Sequence, residues 1–109
     1  MDNEPDLMQR LMAVSVGLSR RFPDHNGPFE IMTRLLEECG ELAEQVNHFE
    51  GTGVKREKHG EPDKAKLAKE VQDVLRSALQ VAQHYGIERE LEASIENSYQ
   101  RLKSEGFIE

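Results

Sequence analysis

Glu37-Glu38-Cys39-Gly40-Glu41 and, downstream, Glu70-Val71-Gln72-Asp73 are the stretches whose reading decides the fold. Each carries two carboxylates three residues apart, Glu38 with Glu41 and Glu70 with Asp73. On a helix, residues at i and i+3 are neighbours on one face. With Glu38 set at 0°, Glu41 falls near roughly −60°, and Met32, Leu35, Cys39, Leu42 and Val46 fall between roughly 40° and 120°. With Glu70 at 0°, Asp73 again falls near roughly −60°, and Leu67, Val71, Val74, Ala78 and Tyr85 lie between roughly 40° and 100°. Two similar apolar faces thus carry acid pairs on the same rim. Packed antiparallel, they bring four carboxylates together, and such a cluster calls for a cation.

One Glu-x-x-Glu is ordinarily a solvated face, since exposed charge is the rule for acids. The repeated spacing, the shared azimuth and the apolar flanks set this chain apart. Arg34 stands four before Glu38 and Lys66 four before Glu70. That spacing suits i,i+4 salt bridges or phosphate contacts beside a metal, and both readings stand.

Glu-Glu-x-x-Glu followed within a few tens of residues by Glu-x-x-Asp resembles the signature of the MazG-type, all-α nucleoside triphosphate pyrophosphohydrolases. Arg34 to Glu44 resembles the family's second helix, Glu70 to Gly86 its third, and the likeness covers roughly residues 28 to 103. The resemblance implies hydrolysis of a nucleoside triphosphate to the monophosphate and pyrophosphate. It also implies Mg²⁺, with Mn²⁺ as a substitute, held by Glu38, Glu41, Glu70 and Asp73. Glu37 is the odd acid: a general base, an outer ligand or merely solvated, with Glu38 its rival as base. Asn97 matches a helix-four asparagine that lies near the phosphates in the family, and Arg101 shares its rim. Ser94 stands where the family often has lysine. The histidine-pathway pyrophosphohydrolases are a poorer match, because Val74-Leu75-Arg76-Ser77 replaces their apolar-aromatic-histidine run.

Composition narrows the classes. A chain of 109 residues reads as a single small domain, residues 1–109, and its net charge of −7 argues against polymeric nucleic acid as a partner. No apolar run is long enough for a membrane span and no basic-then-apolar leader opens the chain, so a cytoplasmic protein is expected. Its one cysteine, Cys39, is expected as a buried structural thiol. With 37% hydrophobic residues and no tryptophan the core is thin, and both this and the resemblance point to a homodimer or a dimer of dimers.

Four helices are expected. The first runs from Pro5 or Asp6 to about Arg21, after four disordered residues, and stops before Phe22-Pro23. The second runs from Pro28 or Phe29 to near Glu50, with Gly51 beyond it. A loop over 51–62 carries Lys55, Arg56, Lys58 and His59, either solvated or an arm closing over a triphosphate. Pro62-Asp63 opens a third helix that ends at Tyr85-Gly86, and the fourth runs from about Glu88 to Ser104.

Two other classes compete with this reading. A di-iron carboxylate bundle requires Glu-x-x-His motifs, and no histidine here has a carboxylate three residues before it. A non-catalytic helical oligomerisation module, its acids only a charged face, would show no metal dependence.

Overall fold

The computed structural model describes residues 3–51 and 60–109. Four helices account for its regular structure: α1 (Leu7–Arg21), α2 (Pro28–Phe49), α3 (Lys64–Tyr85) and α4 (Glu88–Ser104). Each boundary has a local cause. The Asp6 carboxylate accepts from the Gln9 N–H at 2.8 Å, while the Gln9 side chain accepts from the Asp6 N–H at 2.8 Å, a reciprocal cap for α1. Pro28 occupies the first position of α2, where its missing donor costs nothing. Asp63 Oδ1 accepts from the Ala65 N–H at 2.8 Å and opens α3. Gly86 ends that helix at φ +65°, a conformation that other residues adopt only with strain. Among the described residues no helix is long and apolar enough to cross a membrane.

α3 is the central element. α2 packs along it, α1 lies on another side of it, and α4 packs on no other helix. The α2–α3 pair is antiparallel, since Arg34 reaches Gln80, Glu38 faces Arg76 and Glu41 meets Glu70. Polar bonds join the three helices. Gln80 accepts from Arg34 Nη1 at 3.1 Å and donates to Ser19 Oγ at 3.1 Å and Asn26 Oδ1 at 3.3 Å. Ser15 Oγ donates to Gln83 Oε1 at 2.7 Å, and Gln83 Nε2 donates to the Met12 carbonyl at 3.1 Å. Arg34 Nη2 also donates to the His25 carbonyl at 2.9 Å, which holds the turn before α2.

The buried set is more polar than periodicity suggests. Among the described residues, Ile31, Leu79 and Ala82 are the buried hydrophobic side chains, beside buried Ser15, His48, Ser77 and Gln80. On α2 the inward arc is centred on Glu38: Ile31, Arg34, Leu42 and Gln45, all buried or half-buried, lie within roughly 40° of it. Glu38 and Glu70 therefore sit within the helix interface, while Glu41 is exposed at its edge. The apolar flank is correspondingly turned out, leaving Met32, Cys39 and Val46 exposed. Cys39 is thus an exposed thiol, contrary to the expectation of a buried one. Val71, Ala78 and Tyr85 of α3 are likewise exposed, as are Ile95, Tyr99 and Leu102 of α4. The radius of gyration, 17.1 Å, exceeds the roughly 13 Å of a compact chain of this length.

If Gln80 ties three elements together, replacing its amide by an apolar group of similar size should weaken the fold despite its burial. Gln80→Leu leaves donors of Arg34 and an acceptor of Asn26 short of a partner. The expected loss is about 1–3 kcal/mol in urea unfolding. An unchanged or raised midpoint would show that these bonds do not hold the helices.

Candidate metal centre

The antiparallel pairing sets Glu38 and Glu41 of α2 opposite Glu70 of α3. One oxygen from each of these three carboxylates lies within 4.8 Å of the others. Asp73 borders the cluster and is turned aside: its Oδ1 accepts from Lys69 Nζ at 2.6 Å and lies 3.8 Å from Arg76 Nη2. Arg76 Nη2 is also 3.8 Å from Glu38 Oε1. Glu38 Oε2 and Glu70 Oε2 are buried without a hydrogen-bond partner, as is Arg76 Nε. Buried carboxylate oxygens without donors are costly, and they are the ligand type that hard divalent cations prefer.

The electrostatics have a definite order of causes. The Glu38 carboxyl is raised above its ordinary range first by burial, then by the charges of Glu41 and Asp73, with Arg76 opposing. Glu70 is raised by burial first, then by Glu41 and Asp73, with Lys69 opposing. Repulsion follows from the sequence; the larger contribution of burial appears only once the acids lie inside the seam. Both effects favour protons or a cation at this point.

The other residues singled out from the sequence are spread more widely. Glu37 is exposed and borders a surface depression with Phe29, Thr33 and Arg34, outside the carboxylate cluster. Arg34 is half-buried and donates to Asn26, Gln80 and the His25 carbonyl, and it lines two surface clefts. Lys66 is exposed, and the pairing across a turn of α3 is Lys69 with Asp73 in place of Lys66 with Glu70. Asn97 and Arg101 are exposed on α4, which packs on α3 alone, so the chain by itself does not bring them to the cluster. The basic residues Lys55, Arg56, Lys58 and His59 lie outside the described residues.

Sequence reasoning passed over Lys69 and Arg76. The signal was there: Lys69 is four before Asp73 and Arg76 three after it, both helix neighbours. Arg76 also lines a cleft of about 240 Å³ with Ser15, Ser19, Asn26, Arg34 and Gln80. That cleft therefore abuts the carboxylates.

Neither the curated proteins nor the solved structures contain a match to this chain. The family model of the MazG nucleotide pyrophosphohydrolase domain matches residues 27–104, which include both acid pairs and everything from the start of α2 to the end of α4. With that match spanning most of its length and the two acidic helices paired as described, the chain belongs to the MazG nucleotide pyrophosphohydrolase family.

Proposed function

We propose that this chain hydrolyses a nucleoside triphosphate to the monophosphate and pyrophosphate in a reaction that depends on a divalent metal, and that it serves nucleotide-pool housecleaning in the cytoplasm. The observation that carries the reading is the convergence of Glu38, Glu41 and Glu70 from two helices, with buried oxygens lacking donors. An all-oxygen donor set of high negative charge fits Mg²⁺, or Mn²⁺ in its place. Glu38, Glu41 and Glu70 would hold it, joined by Asp73 once its ties to Lys69 and Arg76 loosen. Bound there, the metal would neutralise phosphate charge and make the α-phosphoryl group more electrophilic.

The chain's own groups have separable tasks. A water oxygen bonds to the α-phosphorus, the bond from that phosphorus to the bridging oxygen breaks, and pyrophosphate leaves with the electron pair. Glu38, which lies within the cluster, is the candidate acceptor for the water's proton. Glu37, the rival base, faces solvent. Arg34 supports the wall of the cleft. Lys66, one turn before Glu70, is a proposed phosphate contact, and Asn97 and Arg101 are proposed contacts that reach an acid cluster through a second copy of the chain.

The same argument supports a homodimer, or a dimer of dimers. Ile95, Tyr99 and Leu102 of α4 are exposed, and so is much of the apolar groove formed by Leu7, Val14, Val71 and Leu75 on α1 and α3. Each is the kind of surface that covers the other.

Pyrophosphate should be released from a nucleoside triphosphate only with Mg²⁺ or Mn²⁺ present, and Glu70→Gln should lower the rate by about a hundredfold or more. Release of orthophosphate with a diphosphate left behind would contradict the assignment. Light scattering at micromolar concentration should give at least twice the chain mass of 12.5 kDa; a well-folded monomer would count against the dimer.

A third expectation follows from the raised carboxyls. Between the ordinary glutamate value of 4.5 and their raised values, Glu38 and Glu70 keep protons in the folded chain that the unfolded chain has released. Metal-free stability should therefore fall as pH rises through that window. Mg²⁺ competes with those protons, so the rise in melting temperature it causes should grow over the same window. Glu70→Gln should leave the metal-free protein as stable or more so, with a flatter pH profile and little response to Mg²⁺. Equal Mg²⁺ shifts in parent and variant would speak for a charged-face module.

A further inference from the structure

Arg76 belongs to two places at once. Its side chain, 11% exposed, faces the carboxylates of Glu38 and Asp73 at 3.8 Å each, and it also lines the cleft beside Ser19, Asn26 and Gln80. A guanidinium committed to a carboxylate closes to about 2.7–2.9 Å. Arg76 instead stays between two acids, and its Nε has no hydrogen bond. Arg34, the other cation of the cleft, differs: bonds to Asn26, Gln80 and the His25 carbonyl fix its fork. One arginine is fastened and the other is not.

A divalent ion among Glu38, Glu41 and Glu70 would take over the Glu38 charge that holds Arg76, and would repel the guanidinium at short range. The other surface that Arg76 meets is the cleft, where Ser15, Ser19, Asn26 and Gln80 stand beside Leu18 and Phe22. We infer that Arg76 is the counter-cation of the acid cluster in the metal-free chain and that, on metal binding, it transfers to the phosphate chain of the nucleotide. The planar fork suits phosphate oxygens, which it can grip in pairs. Metal and nucleotide would then bind in concert: the ion displaces the arginine, and the phosphates receive it. This rests on the reading of the acid cluster as a divalent-metal site.

The test measures Mg²⁺ alone, then inorganic tripolyphosphate with saturating Mg²⁺, by calorimetry on the parent chain, Arg76→Met and Arg76→Lys. Loss of the internal competitor should make Arg76→Met bind Mg²⁺ about three- to tenfold more tightly. Loss of the phosphate contact should make it bind tripolyphosphate about tenfold more weakly. Gain for one ligand with loss for the other is not what a damaged fold produces. Arg76→Lys keeps the charge without the fork, so Mg²⁺ affinity should stay within about twofold while tripolyphosphate weakens severalfold. If Arg76→Met does not fold, the lysine variant decides. Unchanged tripolyphosphate binding in the folded variants, or unchanged or weaker Mg²⁺ binding by Arg76→Met, overturns the inference while the metal reading stands. A parent chain that binds no Mg²⁺ overturns both.

Discussion

Carboxylates in the seam between two helices are the constraint on which the rest of this structure depends. An acid in a helix interface loses hydration and gains the repulsion of its neighbours. Here Glu38 and Glu41 of α2 face Glu70 of α3, with Glu38 and Glu70 half-buried and Glu41 at the edge. Apolar contact cannot dominate such a seam, and the helices are held together by other means. Gln80, Gln83, Ser15 and Arg34 form directed bonds across them, and Lys69 and Arg76 offset part of the charge. The chain is built to keep carboxylates close.

That choice explains the shape of what remains. With the inward arc of α2 occupied by Glu38 and Gln45, its apolar residues Met32 and Val46 are rotated outward. α4 buries none of its residues, and Phe107 beyond it is 77% exposed. Apolar side chains thus lie exposed on every one of the four helices. A thin core, an extended outline and an outward apolar flank are three consequences of one decision about where the acids go.

Much of this was legible in the residues. Asp6, Pro28, Asp63 and Gly86 mark helix ends through local chemistry, which does not depend on packing, and those boundaries agree with the structure to within about a residue or two. The i, i+3 spacing of Glu38 and Glu41 likewise carries over into their facing Glu70, while Asp73 stays at the border of the cluster. Facing was harder. Periodicity orients a helix by its apolar residues, and it placed Cys39 inside and Glu38 on the rim. The structure reverses the two, because charge compensation and side-chain amides decide this interface. Arg76 was missed for the same reason: its importance lies in what the opposite helix presents, and spacing along one helix does not show that.

The bond between His48 and Gly60 bears on how such a protein can change. The Gly60 carbonyl can only accept, so His48 Nε2 carries the proton, and the two atoms lie 2.7 Å apart with His48 buried. This clasp joins the end of α2 to the approach to α3 and fixes where both helices start from, whatever lies between. The entropy of closing a connection grows only slowly with its length, by about 0.6 kcal/mol per doubling. Residues can therefore be gained or lost between the two clasped ends with little effect on how the acids line up. The register of the acids thus depends little on the length of this interval, while a single residue inserted inside either helix would rotate a carboxylate out of the seam.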